Sequence, residues 1–129
     1  MAEAAQPEHL YGDAFYTSHR EGTARSAAVV VPVLSDLLKP RSVVDVGCGE
    51  GLWLEAFRNQ GLRELVGIDG AWAAANWQVR DGVKFVEQDL TAPLGLDRRF
   101  DLALCLEVAE HLPHETAAQL VAGLKRLSP

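Results

Sequence analysis

Short apolar runs rich in β-branched residues alternate along the chain with stretches whose apolar positions return every three or four residues. Runs of the first kind lie at Ser42 to Val46, Glu64 to Ile68, Val83 to Glu87 and Asp101 to Val108, and each predicts a strand. Ala27, Val30/Val31, Leu34 and Leu37/Leu38 form one stripe, which predicts a helix from Thr23 to Leu38. Pro32 should kink it by removing the donor opposite Ala28, and Pro40 should end it. Trp53, Ala56 and Phe57 share a face of a second helix, Ala71 to Gln78 reads as a weaker third, and His114 to Leu127 as a fourth. Strands alternating with helices predict an α/β fold with right-handed crossovers and a parallel sheet. Residues 1–21 show no clean period and are expected to form an irregular arm that holds Tyr11, Phe15 and Tyr16 against the rest. Residues 22–129 are expected to form the folded unit.

Composition narrows the partners. Of 129 residues, 48% are hydrophobic and 23% charged, which is globular and speaks against disorder. A net charge of −6 disfavours a general nucleic-acid binder, which needs clustered Lys and Arg. The longest apolar run, Ala27 to Leu34, is far too short to span a bilayer, so no membrane partner is expected. The opening MAEAAQPEHL lacks the basic start and apolar stretch of a secretory signal. Cys48 and Cys105 have no metal-ligand spacing and read as reduced thiols of a cytoplasmic protein.

The chemistry begins at Asp45-Val46-Gly47-Cys48-Gly49-Glu50-Gly51, where a strand runs into a helix through three glycines. Glycines permit a tight turn and a close approach of ligand to backbone, and the helix start beyond offers free N–H groups. A dinucleotide loop reads G-x-G-x-x-G, whereas these glycines are spaced one residue tighter. Asp69, followed by Gly70, closes the second strand 22 residues after Gly47, where a carboxylate can accept bonds from vicinal ribose hydroxyls. Asp89 closes the third strand, followed by Leu90.

The segment from Asp45 resembles the first motif of class I S-adenosylmethionine-dependent methyltransferases, D-x-G-x-G-x-G. The resemblance continues in order from Val43 to Leu112. It implies a Rossmann-like sheet ordered 3-2-1-4 with flanking helices. It assigns the cofactor to Asp45, Gly47, Cys48, Gly49, Gly51, Asp69, Gly70 and Glu107, with Asp89 on the adenine amino group and Leu90 on the ring.

Candidates for the reacting end cluster in Glu107-Val108-Ala109-Glu110-His111, just past the fourth strand. Methyl transfer is an in-line displacement, so alignment contributes most, and an oxygen or nitrogen nucleophile also needs a base. His111 is the candidate base, with helix capping as its alternative role, and Glu107 stands beside it. No metal is assigned. The alternative is a divalent ion on Glu107, Glu110 and His111, which share a face if the segment is helical. The string resembles metal-assisted O-methyltransferases of ubiquinone biosynthesis and of small-RNA 3′-end modification. Trp72 is a candidate flank for the adenine, Arg25 a candidate partner for the methionine carboxylate, and His9 and His19 are expected to be solvated. Cys48 reads as a compact filler rather than a nucleophile.

Relatives in the resembled family continue past the position of Pro129 with three further strands. The chain is therefore expected to be the cofactor-binding part of a longer domain, lacking strands 5–7 and possessing weak or no activity alone. The apolar run Asp101–Val108 would then be an exposed edge, pairing two copies as a homodimer. The expected function is methylation of a small-molecule acceptor. The alternatives are a non-catalytic nucleotide-binding or assembly module and an NAD-dependent dehydrogenase.

Overall fold

A computed structural model describes residues 13–129, with side chains from residue 18 onward. Helix α1 spans Asp13–Leu38, strand β1 Ser42–Val46, helix α2 Leu52–Asn59, strand β2 Glu64–Asp69 and helix α3 Ala71–Ala75. Strand β3 spans Val83–Glu87, strand β4 Leu102–Leu104 and helix α4 His114–Leu127, with one 3₁₀ turn at Ala109–His111. The four strands form one parallel sheet in the order β3-β2-β1-β4. This is the α/β arrangement expected.

β1 lies between β2 and β4 and is buried at all five positions, Ser42 and Asp45 included, as a central parallel strand covered on both faces requires. Its alternate residues face two core layers. Val43 packs with Ala27, Val31, Leu54 and Phe57 under α1 and α2, whereas Val44 and Val46 pack with Ile68, Phe100, Leu120 and Leu127 under α4. Gly123 of α4 lets Leu94 press against the helix, and the Phe100 N–H donates to the Leu127 carbonyl at 2.7 Å. The sheet's carboxyl ends thereby stay open while both faces are covered.

Three expectations need correction. Residues 13–21 belong to α1 rather than to an irregular arm. This stretch is mostly exposed where its side chains are described, so no apolar period marks it. Tyr11 lies outside the described residues, as do the side chains of Phe15 and Tyr16. Second, only part of the α1 stripe is buried. Ala27 and Val31 are in the core, while Val30, Leu37 and Leu38 are exposed. Third, the fourth strand is Leu102–Leu104, not Asp101 to Val108. Only Val43, Val44 and Asp45 of β1 pair with it, and among the described residues its other edge has no partner to extend the ladder.

Candidate functional site

The turn after β1 is held by the neighbouring strand. The N–H groups of Gly47 and Cys48 both donate to the Ile68 carbonyl at the end of β2, at 2.7 and 3.2 Å. Gly47, Gly49 and Gly51 all have positive φ, at 84°, 54° and 83°, a region that penalises any side chain. A Cβ on Gly47 would collide with Val108, and one on Gly51 with Trp77. A Cβ on Gly49 would meet nothing within 4 Å. The middle glycine thus bares its backbone to open space, which is what a ligand approaching the loop requires.

Asp69 locks this loop. One carboxylate oxygen accepts from the Gly49 N–H at 2.7 Å and the other from the Gly70 N–H at 2.7 Å. Each oxygen retains a lone pair for a further donor. Asp45 is 2% exposed. Burial, and secondarily repulsion from Asp69, pushes its pKa up to about 7, so it is poised between its neutral and charged forms. Burial likewise pushes the Cys48 thiol well above its usual value, and its sulfur packs against Gly67 of β2. That is filler geometry. Asp89 accepts from the Thr91 N–H at 2.9 Å and from its hydroxyl at 2.7 Å, bonds that lower its pKa.

Two depressions open where the strands end. A cleft of about 1030 Å³ is bounded by Asp45, the loop residues Gly47 to Glu50, the amino-terminal half of α1 and the segment after β4. A second, of about 700 Å³, is lined by Asp69, Gly70, Asp89 and Leu90. The sequence-assigned residues therefore fall into two groups around Asp69. Gly51 is buried behind the loop and lines neither.

Glu107 and His111 line the large cleft, but Glu110 does not. Glu107 has φ 56°, and the residues after it form one 3₁₀ turn, Ala109–His111, rather than an α-helix. The shared helical face that would gather Glu107, Glu110 and His111 is not formed, and no metal-holding group of three or more His, Cys, Asp or Glu exists among the described residues. Trp72 is 62% exposed and lines the large cleft, not the depression holding Asp89 and Leu90. Arg25 is exposed and lines neither depression, while His19 is exposed but does line the cleft. His9 lies outside the described residues.

A family model described as "Methyltransferase domain" matches residues 16–125. The chain belongs to the methyltransferase-domain family. The ubiquinone biosynthesis O-methyltransferase of Pseudomonas fluorescens (strain SBW25) is 35% identical over 83 residues, covering 59% of this chain and 35% of the relative. SAM-bound CalS10, an amino pentose methyltransferase from Micromonospora echinaspora, superposes with a TM-score of 0.75 at 23% identity, covering 92% of this chain and 53% of that one. The methyltransferase domain of bacterial CtHen1 superposes with a TM-score of 0.66 at 20% identity, covering 81% and 60%. The chain spans about a third of the length of the curated relatives it matches.

In this methyltransferase domain the acids and glycines at the ends of β1, β2 and β3 were legible before the fold was known. Three other features were not. Arg20 on α1 donates twice to Glu50 in the loop, at 2.7 and 2.8 Å, and both residues line the cleft. Gly67 admits the Cys48 sulfur, because a Cβ there would stand 2.6 Å from it. Trp77 covers Gly51. The register that pairs Asp45 with Gly67 gives a signal for the second, a glycine interrupting an apolar strand. Nothing local in the sequence marks the other two, whose partners are 30 and 26 residues away.

Proposed function

We propose that this methyltransferase domain binds S-adenosylmethionine beside Gly47–Gly51 and serves methyl transfer to a small-molecule oxygen or nitrogen. The observation that carries the reading is the Asp69 carboxylate, which braces Gly49 and Gly70 while the exposed face of Gly49 opens on unfilled space. Bound there, the cofactor would supply a methyl carbon on a sulfonium, open to in-line attack by an acceptor lone pair with sulfur as the leaving group. Asp69 offers its remaining lone pairs to ribose hydroxyls, and Asp89 with Leu90 receives the adenine. Asp45, ionising near pH 7, faces the cleft where a cationic amino group needs a counter-charge. Glu107 and His111 flank the same cleft, His111 accepting the acceptor's proton.

The small-molecule acceptor is supported by the relatives named for ubiquinone and amino pentose chemistry and by the net charge of −6. A second reading, a nucleotide-binding module without turnover, is favoured by the exposure of Glu107 and His111. Titration calorimetry with S-adenosylhomocysteine and with NAD tests the cofactor. Heat with the first and none with the second is expected, and the reverse overturns the reading. Binding without methyl transfer to any acceptor selects the second reading.

The proposal extends to a homodimer formed along the edge of β4 that has no partner among the described residues, supported also by the exposed apolar Val29, Val33 and Leu37 of α1. A strictly monomeric mass by light scattering at high concentration overturns it. No helix among the described residues is long and apolar enough to cross a membrane. A cytoplasmic location is supported by the free thiols Cys48 and Cys105.

A further inference from the structure

Trp77 and Arg80 stand behind the glycine loop and line neither depression. Trp77 follows α3 and rests on Phe85 of β3, with ring centroids 4.8 Å apart. The far edge of its indole reaches Gly51. A Cβ built on Gly51 would lie 2.7 Å from Cη2 and 2.8 Å from Cζ3. The Arg80 guanidinium sits 5.1 Å from the indole centroid, within range of cation–π attraction. It is kept there by Glu55 in the first turn of α2, with Nε to Oε1 at 3.4 Å, and by the Gln78 carbonyl at 3.2 Å. Glu55 closes the circuit, because its own N–H donates to the Gly51 carbonyl at 2.9 Å.

Gly51, Trp77, Arg80 and Glu55 therefore form one ring of contacts. Gly51 is the last residue of the loop and the cap of α2, at φ 83° with no side-chain hydrogen bond to hold it. Its N–H donates to the Cys48 carbonyl at 2.9 Å, so its placement is passed back into the middle of the loop.

We propose that Trp77 is a positioning residue for the cofactor: seated on Gly51 by Arg80 and Glu55, it sets the path of the loop Gly47–Gly51 from outside the cleft. This rests on the reading of that loop as the cofactor's seat. Ordinary core packing is the competing account, and it makes a different prediction. A residue that only fills the core costs stability when truncated but leaves loop order and ligand affinity alone.

The test compares Trp77→Leu, Trp77→Phe and Arg80→Met with Leu120→Ala, which truncates one side chain of the opposite core layer. Two quantities are read on folded protein: S-adenosylhomocysteine affinity by calorimetry, and amide hydrogen exchange over the segment Gly47 to Leu52. Trp77→Leu should weaken binding about tenfold and accelerate exchange in that segment, in line with the loss of one half-buried aromatic contact. Trp77→Phe should restore most of both. Arg80→Met, which keeps the indole, should weaken binding about threefold. Leu120→Ala should lower the melting temperature and move neither readout. Unchanged affinity and exchange in Trp77→Leu overturn the proposal. Should Trp77→Leu fail to fold, wild-type values in Arg80→Met and Trp77→Phe together overturn it. Should the wild-type chain not bind S-adenosylhomocysteine, the cofactor reading fails, and the exchange comparison alone decides the role of Trp77.

Discussion

The loop after β1 and the segment after β4 both leave the sheet at its carboxyl end, yet they are built oppositely. The first has its glycine conformations enforced by Val108 and Trp77, two amides bound to the Ile68 carbonyl and one to Asp69. The second leaves a three-residue strand, passes Glu107 at φ 56° and exposes Glu110 and His111. On the proposed reading, binding a common cofactor needs one fixed shape, and the fixed loop would supply it. On the same reading the exposed residues of the other segment, Glu107 and His111, are the ones that meet the acceptor. Val108 is where the two touch, because its side chain occupies the space a Cβ on Gly47 would take.

The largest expected effect breaks that junction. Gly47→Ala forces a side chain into a left-handed position and into Val108 at once, and should cost about 2–5 kcal/mol of stability. A denaturant melt unchanged from wild type would show that the two segments are independent. Asp69→Ala comes next. It frees the Gly49 and Gly70 amides and should cost about 1–3 kcal/mol of stability even without ligand, with weaker S-adenosylhomocysteine binding in calorimetry. Lost affinity at unchanged stability would mean that the carboxylate serves the ligand and not the loop.

Asp45 gives a pH-dependent contrast. With its pKa raised to about 7 in the folded chain, it holds a proton that the unfolded chain gives up near pH 4. Stability should therefore fall as pH rises across that window, by up to about 1.4 kcal/mol per pH unit, and level off above it. Asp45→Asn should flatten this slope in melts from pH 4 to 8. Affinity for a ligand carrying an ammonium group should rise over the same window, since binding expels the proton. The smallest effect on fold and affinity belongs to His111→Ala. Stability should stay within about 0.5 kcal/mol of wild type and S-adenosylhomocysteine binding should hold. The methyl-transfer rate should still fall by about a hundredfold or more if the imidazole is the base. A lower melting temperature would make His111 a structural cap instead.

The same contrast explains what the sequence could disclose. Glycines needed at positive φ and an acid at a strand's end are local requirements, so Gly47, Gly49, Gly51 and Asp69 stand out from their neighbours alone. β1, β3 and α4 were legible to the residue because each carries its apolar residues at the spacing of its own element, between turn or breaker residues. Asp101 to Val108 has the composition of a strand, but strand length is set by partners, and β1 supplies only three. The start of α1 was missed for the converse reason: residues 18–21, the first whose side chains are described, all face solvent and leave no apolar period to read. Arg20 with Glu50, and Trp77 with Gly51, are tertiary facts that no window along the chain contains.

The bracing carboxylate of Asp69 also bears on how a ligand is admitted. Because bonds within the chain tie Gly49 and Gly70 to it, the loop's conformational entropy is spent in folding. Association then owes little to ordering of this segment. The heat-capacity change on binding should reflect the surface the ligand covers, without the larger signature of a segment folding around it.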